Sequence, residues 1–72
     1  MPKEDLLEFD GEVIETLPGL MYRVQLDDVE HIVLAQMNGR MRKNRIRVLE
    51  GDRVRVETST YDLNRGRINH RY

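Results

Sequence analysis

Apolar side chains in this chain recur at every second position instead of every third or fourth, a period that favours strands over amphipathic helices for most of its length. Leu7, Phe9, Gly11 and Val13 share one parity; Glu8, Asp10 and Glu12 take the other. Leu17-Pro18-Gly19-Leu20 reads as a turn, with Pro fixing φ at the second position and Gly accepting positive φ at the third. Leu20, Tyr22, Val24 and Leu26 then alternate with Met21, Arg23 and Gln25. Asp27-Asp28-Val29-Glu30 supplies a reversal into a third strand from His31 to Ala35. Glu50-Gly51-Asp52 opens a fourth, with Val54 and Val56 inward and Arg53, Arg55 and Glu57 outward. Asn64-Arg65-Gly66 reads as the turn before a fifth, Arg65 to Arg71, in which Gly66, Ile68 and His70 oppose Arg67, Asn69 and Arg71.

One segment breaks the period. Met37 and Met41, at i, i+4 spacing, place a short helix at Asn38 to Asn44. Five strands with a short helix between the third and fourth is the order of an OB-fold, an all-β, partly open Greek-key barrel. Gly11 within the first strand marks a bulge or sharp bend of the kind that closes a small barrel. A chain of 72 residues supports one core, so residues 1–72 read as one domain, expected to be monomeric. There is no cysteine, which removes disulfides and thiolate metal sites and leaves stability to that small core. No run approaches the ~20 apolar residues that span a bilayer, and Met1-Pro2-Lys3-Glu4-Asp5-Leu6-Leu7 lacks the apolar stretch of a signal peptide. The sequence therefore predicts a cytoplasmic protein without a membrane partner.

Net charge is -1, but its distribution is lopsided. Up to Asn38, 9 acidic residues face 2 basic ones; from Gly39 onward, 10 basic residues face 4 acidic ones. In one domain this produces an acidic and a basic region, and a basic region neutralises phosphates whatever the overall charge. The plainer alternative is a solvated surface laced with intramolecular ion pairs.

The densest basic run is Arg40, Arg42, Lys43, Arg45 and Arg47. On a helical turn these cannot all point one way, which suits phosphate contacts from several directions, and guanidinium forks both grip phosphate and stack on bases. A second group comprises Tyr61, Arg65, Arg67 and Arg71, with the outward Arg53 and Arg55 as possible additions. Tyr61 either stacks on a base or caps the barrel. Phe9 and Tyr22 fall on core faces, so the chain lacks the exposed ring platform of a cold-shock protein, and recognition should lean on charge and shape. His31 and His70 are isolated from any carboxylate or third ligand, and read as a strand residue and a rim residue. No catalytic group, metal site or cofactor is indicated.

Lys3-Glu4-Asp5, Glu15-Thr16-Leu17-Pro18, Gly39-Arg40-Met41-Arg42-Lys43-Asn44, Ile46-Arg47-Val48-Leu49, Gly51-Asp52-Arg53-Val54, Tyr61-Asp62-Leu63 and Gly66-Arg67-Ile68 follow one another across nearly the whole chain. In order and spacing this series resembles bacterial translation initiation factor one. The chain departs from the usual pattern at Val29, Gln36, Arg45, Thr60 and Asn69-His70. The resemblance implies a non-catalytic OB-fold without cofactor that binds the decoding, aminoacyl-site region of the small ribosomal subunit and its ribosomal RNA. It also implies cooperation with initiation factors two and three. Carried over by position, the RNA-facing residues are Arg40, Arg42, Lys43, Arg47, Tyr61, Arg65 and Arg67. Two other readings stand beside this one: a single-strand RNA chaperone of the cold-shock type, and a protein-interaction module whose acidic half docks a basic partner.

Overall fold

The alternation is realised in five strands, β1 (Leu6–Leu17), β2 (Met21–Leu26), β3 (Ile32–Met37), β4 (Arg53–Ser59) and β5 (Asp62–Arg71), with α1 (Gly39–Lys43) between β3 and β4. The computed structural model describes residues 6–72; Lys3-Glu4-Asp5 of the family pattern lies outside them. The strands form a closed barrel in the order β1-β2-β3-β5-β4, with β3 and β5 parallel and the other neighbours antiparallel. This is the OB-fold that the strand order predicted, and its seam is closed, with Leu6 through Glu12 pairing along β4.

β1 is long because it serves two neighbours. Gly11 stands opposite Leu26 on one side and Val54 on the other. A Cβ there would lie 2.5 Å from the Gln25 carbonyl oxygen and 2.8 Å from Val24 Cγ1, so only glycine permits this approach. The expected bulge is not at Gly11, whose register is regular. It falls at Ile14, which has no partner on β2, between Val13 opposite Val24 and Glu15 opposite Arg23. The core is built from Val13, Val24, Val33, Val54, Val56 and Ile68, all fully buried, β-branched side chains that suit a curved pleated surface. Tyr22, Met37, Met41 and Val48 extend this core, with Phe9 and Ile46 packed partly against it.

Several local expectations fail for identifiable reasons. Leu7 is 39% exposed, lying on the inward parity but near the barrel's edge. Leu20 belongs to the turn, with φ of 60° and 44% exposure, because the loop returns to register only at Met21 opposite Leu17. The third strand starts at Ile32 and runs on to Met37. Asn64-Arg65-Gly66 is no turn: it lies inside β5, and the reversal is the two-residue Thr60-Tyr61 connection that sets Ser59 opposite Asp62. The glycine has another purpose, since a Cβ on Gly66 would lie 2.6 Å from the Glu57 carbonyl oxygen. Finally, Asn69 is a bulge residue between Ile68 opposite Val56 and His70 opposite Arg55. A bulge reverses strand parity, so Arg71 stands opposite Val54 while Arg67 stands opposite Glu57, and the two arginines do not share a face as simple alternation predicted.

Candidate nucleic-acid interface

The densest basic run is displayed by a helix too short to hold itself. Its first turn is capped by Asn38, whose Oδ1 accepts from the Met41 amide at 2.8 Å, and it is tied to the barrel by the Asn38 amide donating to Ile68 O at 3.0 Å. Met41 is the one buried residue of α1, which leaves Arg40, Arg42 and Lys43 exposed around it. The chain leaves α1 through Arg45 in the left-handed region, at φ 57°, with its amide on Arg42 O. Glycine ordinarily takes this post-helical position, and an arginine there holds about 1 kcal/mol or more of backbone strain. The reversal carries the chain into an extended stretch where Ile46 is half-buried, Val48 buried and Arg47 exposed between them. All five cations of the run thus face solvent around one loop.

β5 adds a second group beside it. Arg65 and Arg67 stand opposite Leu34 and Gln36 of β3, both exposed, and Tyr61 at the β4–β5 tip is 89% exposed. An open groove of about 570 Å³ runs along α1, with Asn38 and Arg40 on one wall and Arg55, Glu57, Asn69 and His70 on the other. A smaller groove of about 260 Å³ has Tyr22, Met37 and Val48 at its base and Arg42, Arg45 and Arg47 along its side. Asn38, Asn69 and His70 were not among the sequence-derived candidates. The Asn before the helix was readable as a cap, whereas the other two reach the groove only through the β5 bulge.

The remaining arginines are engaged by acids. Arg53 grips Asp27 through both guanidinium nitrogens, one at 2.8 Å, and that hydrogen bond holds the Asp27 carboxyl below the usual carboxylate range. Arg71 pairs with Asp52 at 3.1 Å; the Leu49 amide and then Arg71 lower that carboxyl. Arg55 donates to the Tyr72 hydroxyl at 2.8 Å, which raises its pKa, and approaches Asp10 at 3.5 Å. Arg23 pairs with Glu15 at 3.0 Å. Among the described residues, Arg40, Arg42, Lys43, Arg45, Arg47, Arg65 and Arg67 form no such pair. The ion-pair reading of the charge therefore holds for Arg23, Arg53, Arg55 and Arg71, while the cations of the α1 loop and Arg65 and Arg67 of β5 have no acidic partner among the described residues. Arg71 falls with the first set, as do Arg53 and Arg55. Among the described residues no cluster of His, Cys, Asp or Glu has metal-binding geometry, and no helix is long and apolar enough to cross a membrane.

The fold and this surface define a class: an OB-fold barrel with a basic face suited to phosphate. Residues 1–72 match the family model of translation initiation factor 1A / IF-1. The chain is 60% identical to translation initiation factor IF-1 of Azorhizobium caulinodans, over all of this chain and 78% of that protein. It superimposes with a TM-score of 0.75 on the solution structure of translation initiation factor IF-1 from the Wolbachia endosymbiont of Brugia malayi, at 42% identity over 93% of this chain and 78% of that one. The chain belongs to the translation initiation factor 1A / IF-1 family and is a non-catalytic initiation factor. Barrels of the same shape occur in YjeQ from Thermotoga maritima (TM-score 0.71, 24% identity) and in YloQ, a circularly permuted GTPase (TM-score 0.75, 25% identity). Each match spans 92% of this chain and 23% of the larger protein, a likeness of fold.

Proposed function

We propose that this protein acts in the cytoplasm as a monomer, one RNA-binding domain over residues 1–72, that binds the decoding, aminoacyl-site region of the small ribosomal subunit during initiation and cooperates there with initiation factors two and three. The observation that carries this reading is the division of the cations, with acids engaging Arg23, Arg53, Arg55 and Arg71 and none among the described residues engaging Arg40, Arg42, Lys43, Arg45, Arg47, Arg65 and Arg67. Desolvating a cation already paired to a carboxylate gains little from phosphate, whereas an unpaired guanidinium gains a bidentate charge-assisted contact. Arg40, Arg42, Lys43, Arg45 and Arg47 follow the backbone of folded ribosomal RNA from several angles, Arg65 and Arg67 widen the footprint, and Tyr61 stacks on an exposed base. Arg71 contributes at the edge once its contact with Asp52 yields. The action is occupancy: a rigid body seated in the site, with no bond made or broken.

A chaperone of the cold-shock type is less favoured, because Tyr22 is buried and Phe9 packs against the core, leaving no row of exposed rings for successive bases. Sedimentation with isolated small subunits across a salt series tests the proposal. The expected result is selectivity for small over large subunits, with a log–log salt slope of about -0.7 to -0.9 per phosphate contacted. A flat titration, or equal binding to unstructured single-stranded RNA, would refute it.

A further inference from the structure

The β4–β5 hairpin that carries Tyr61 is poorly tied to the barrel. The β4–β5 register jumps from Thr58 opposite Gly66 to Ser59 opposite Asp62, so Leu63, Asn64 and Arg65 have no partner on β4. On the other side, the β3–β5 ladder begins only at Leu34 opposite Arg65. Leu63 and Asn64 therefore fall outside both ladders, and a segment with so few cross-strand bonds opens easily. Its own polar side chains stiffen only the ends: Ser59 Oγ accepts from the Tyr61 amide at 3.0 Å, and Asp62 Oδ1 from the Asn64 amide at 3.0 Å.

One side chain bridges the gap. His31, just before β3, places Nε2 at 2.8 Å from the Leu63 carbonyl oxygen. A carbonyl oxygen only accepts, so the ring donates, and it does so whether neutral with the proton on Nε2 or doubly protonated. The contact continues the β3–β5 seam beyond its last backbone rung. We propose that His31 is a positioning residue that latches the β4–β5 hairpin to β3 and holds Tyr61 and Arg65 in place for RNA. This rests on the functional reading above. A hairpin ordered in advance spares the complex the entropy of ordering it on binding.

The test uses the full chain with two variants. His31→Phe keeps a ring and removes the donor; His31→Gln keeps an N–H donor at similar reach. Backbone amide heteronuclear NOEs report hairpin order directly, and isolated small ribosomal subunits are the binding probe. With His31→Phe, the NOEs at Tyr61, Leu63 and Asn64 should fall while those at Val24 and Val56 hold, and affinity should weaken by about 3- to 10-fold, the range for one net hydrogen bond. His31→Gln should restore both. In a Tyr61→Ala/Arg65→Ala background, His31→Phe should weaken binding little further. The latch is refuted if His31→Phe leaves the hairpin NOEs at parental values, if core amides loosen equally, or if the affinity loss persists in the double-alanine background. Should the parent itself fail to bind small subunits, the functional reading falls and the NOE comparison alone decides whether the latch exists.

Discussion

Replacing Gly11 by alanine adds one carbon atom and should unseat two seams of the barrel. The new Cβ would sit 2.5 Å from the Gln25 carbonyl oxygen and 3.1 Å from its carbonyl carbon, both backbone atoms that no rotamer change can move, as well as 2.8 Å from Val24 Cγ1. Restoring a normal contact requires β1 to shift away from β2, and β1 also pairs at Gly11 with Val54 of β4. Forcing an extra methyl into a packed interior costs about 1–3 kcal/mol, and a displaced backbone falls at the upper end of that range. For 72 residues the unfolding entropy is about 0.15 kcal/mol/K, so 3 kcal/mol corresponds to a fall in Tm of about 20 °C. That is a large share of the roughly 4–11 kcal/mol expected for the whole domain. Scanning calorimetry on Gly11→Ala gives the number directly, with Gly11→Val expected to be worse. Gly39→Ala is the control, since a Cβ there meets nothing within 4 Å and its Tm should hold or rise. If Gly11→Ala melts within a degree or two of the parent, the close approach at β1 does not limit this barrel and the argument from Gly11 fails.

Arg40→Glu with Arg42→Glu removes no buried apolar area, so stability should change by about 0.5 kcal/mol per site while small-subunit binding is lost. Arg53→Gln, on the acid-paired side, should leave affinity unchanged in the same sedimentation assay. Arg45→Gly should raise Tm by a few degrees, by relieving a left-handed arginine worth about 1 kcal/mol, yet weaken binding by removing a cation. A lower Tm would mean that the Arg45 side chain packs to more effect than its exposure implies. Asp27 and Asp52 have folded-state pKa values below those of free carboxylates, so their stabilisation is full above the unfolded value of about 3.9 and lost as pH falls through the folded ones. The Tm gap between the parent and Asp27→Asn should therefore narrow steadily below about pH 4, and a gap independent of pH would show that the Asp27–Arg53 pair contributes nothing through charge.

The strand order, the helix position and most core residues were legible in the sequence because alternation is a local property: a side chain's parity follows from its neighbours, and Val54, Val56, Tyr22 and Val24 lie where that parity put them. The basic run at Arg40–Arg47 was legible for the same reason, being contiguous. Parity cannot be carried across a bulge, and a bulge depends on which strands pair. Alternation therefore grouped Arg67 with Arg71 until the extra residue Asn69 separated them, and it read Asn64-Arg65-Gly66 as a turn when Gly66 was needed for its approach to Glu57. The partners of the arginines are likewise non-local. Asp27 meets Arg53 and Asp10 meets Arg55 only because β1 closes the barrel against β4. Local patterning was enough to make this chain a small barrel with an acidic and a basic part. Only the tertiary structure shows which cations are neutralised from within and which have no acidic partner among the described residues, because an ion pair is fixed by distance in space and not by distance along the chain.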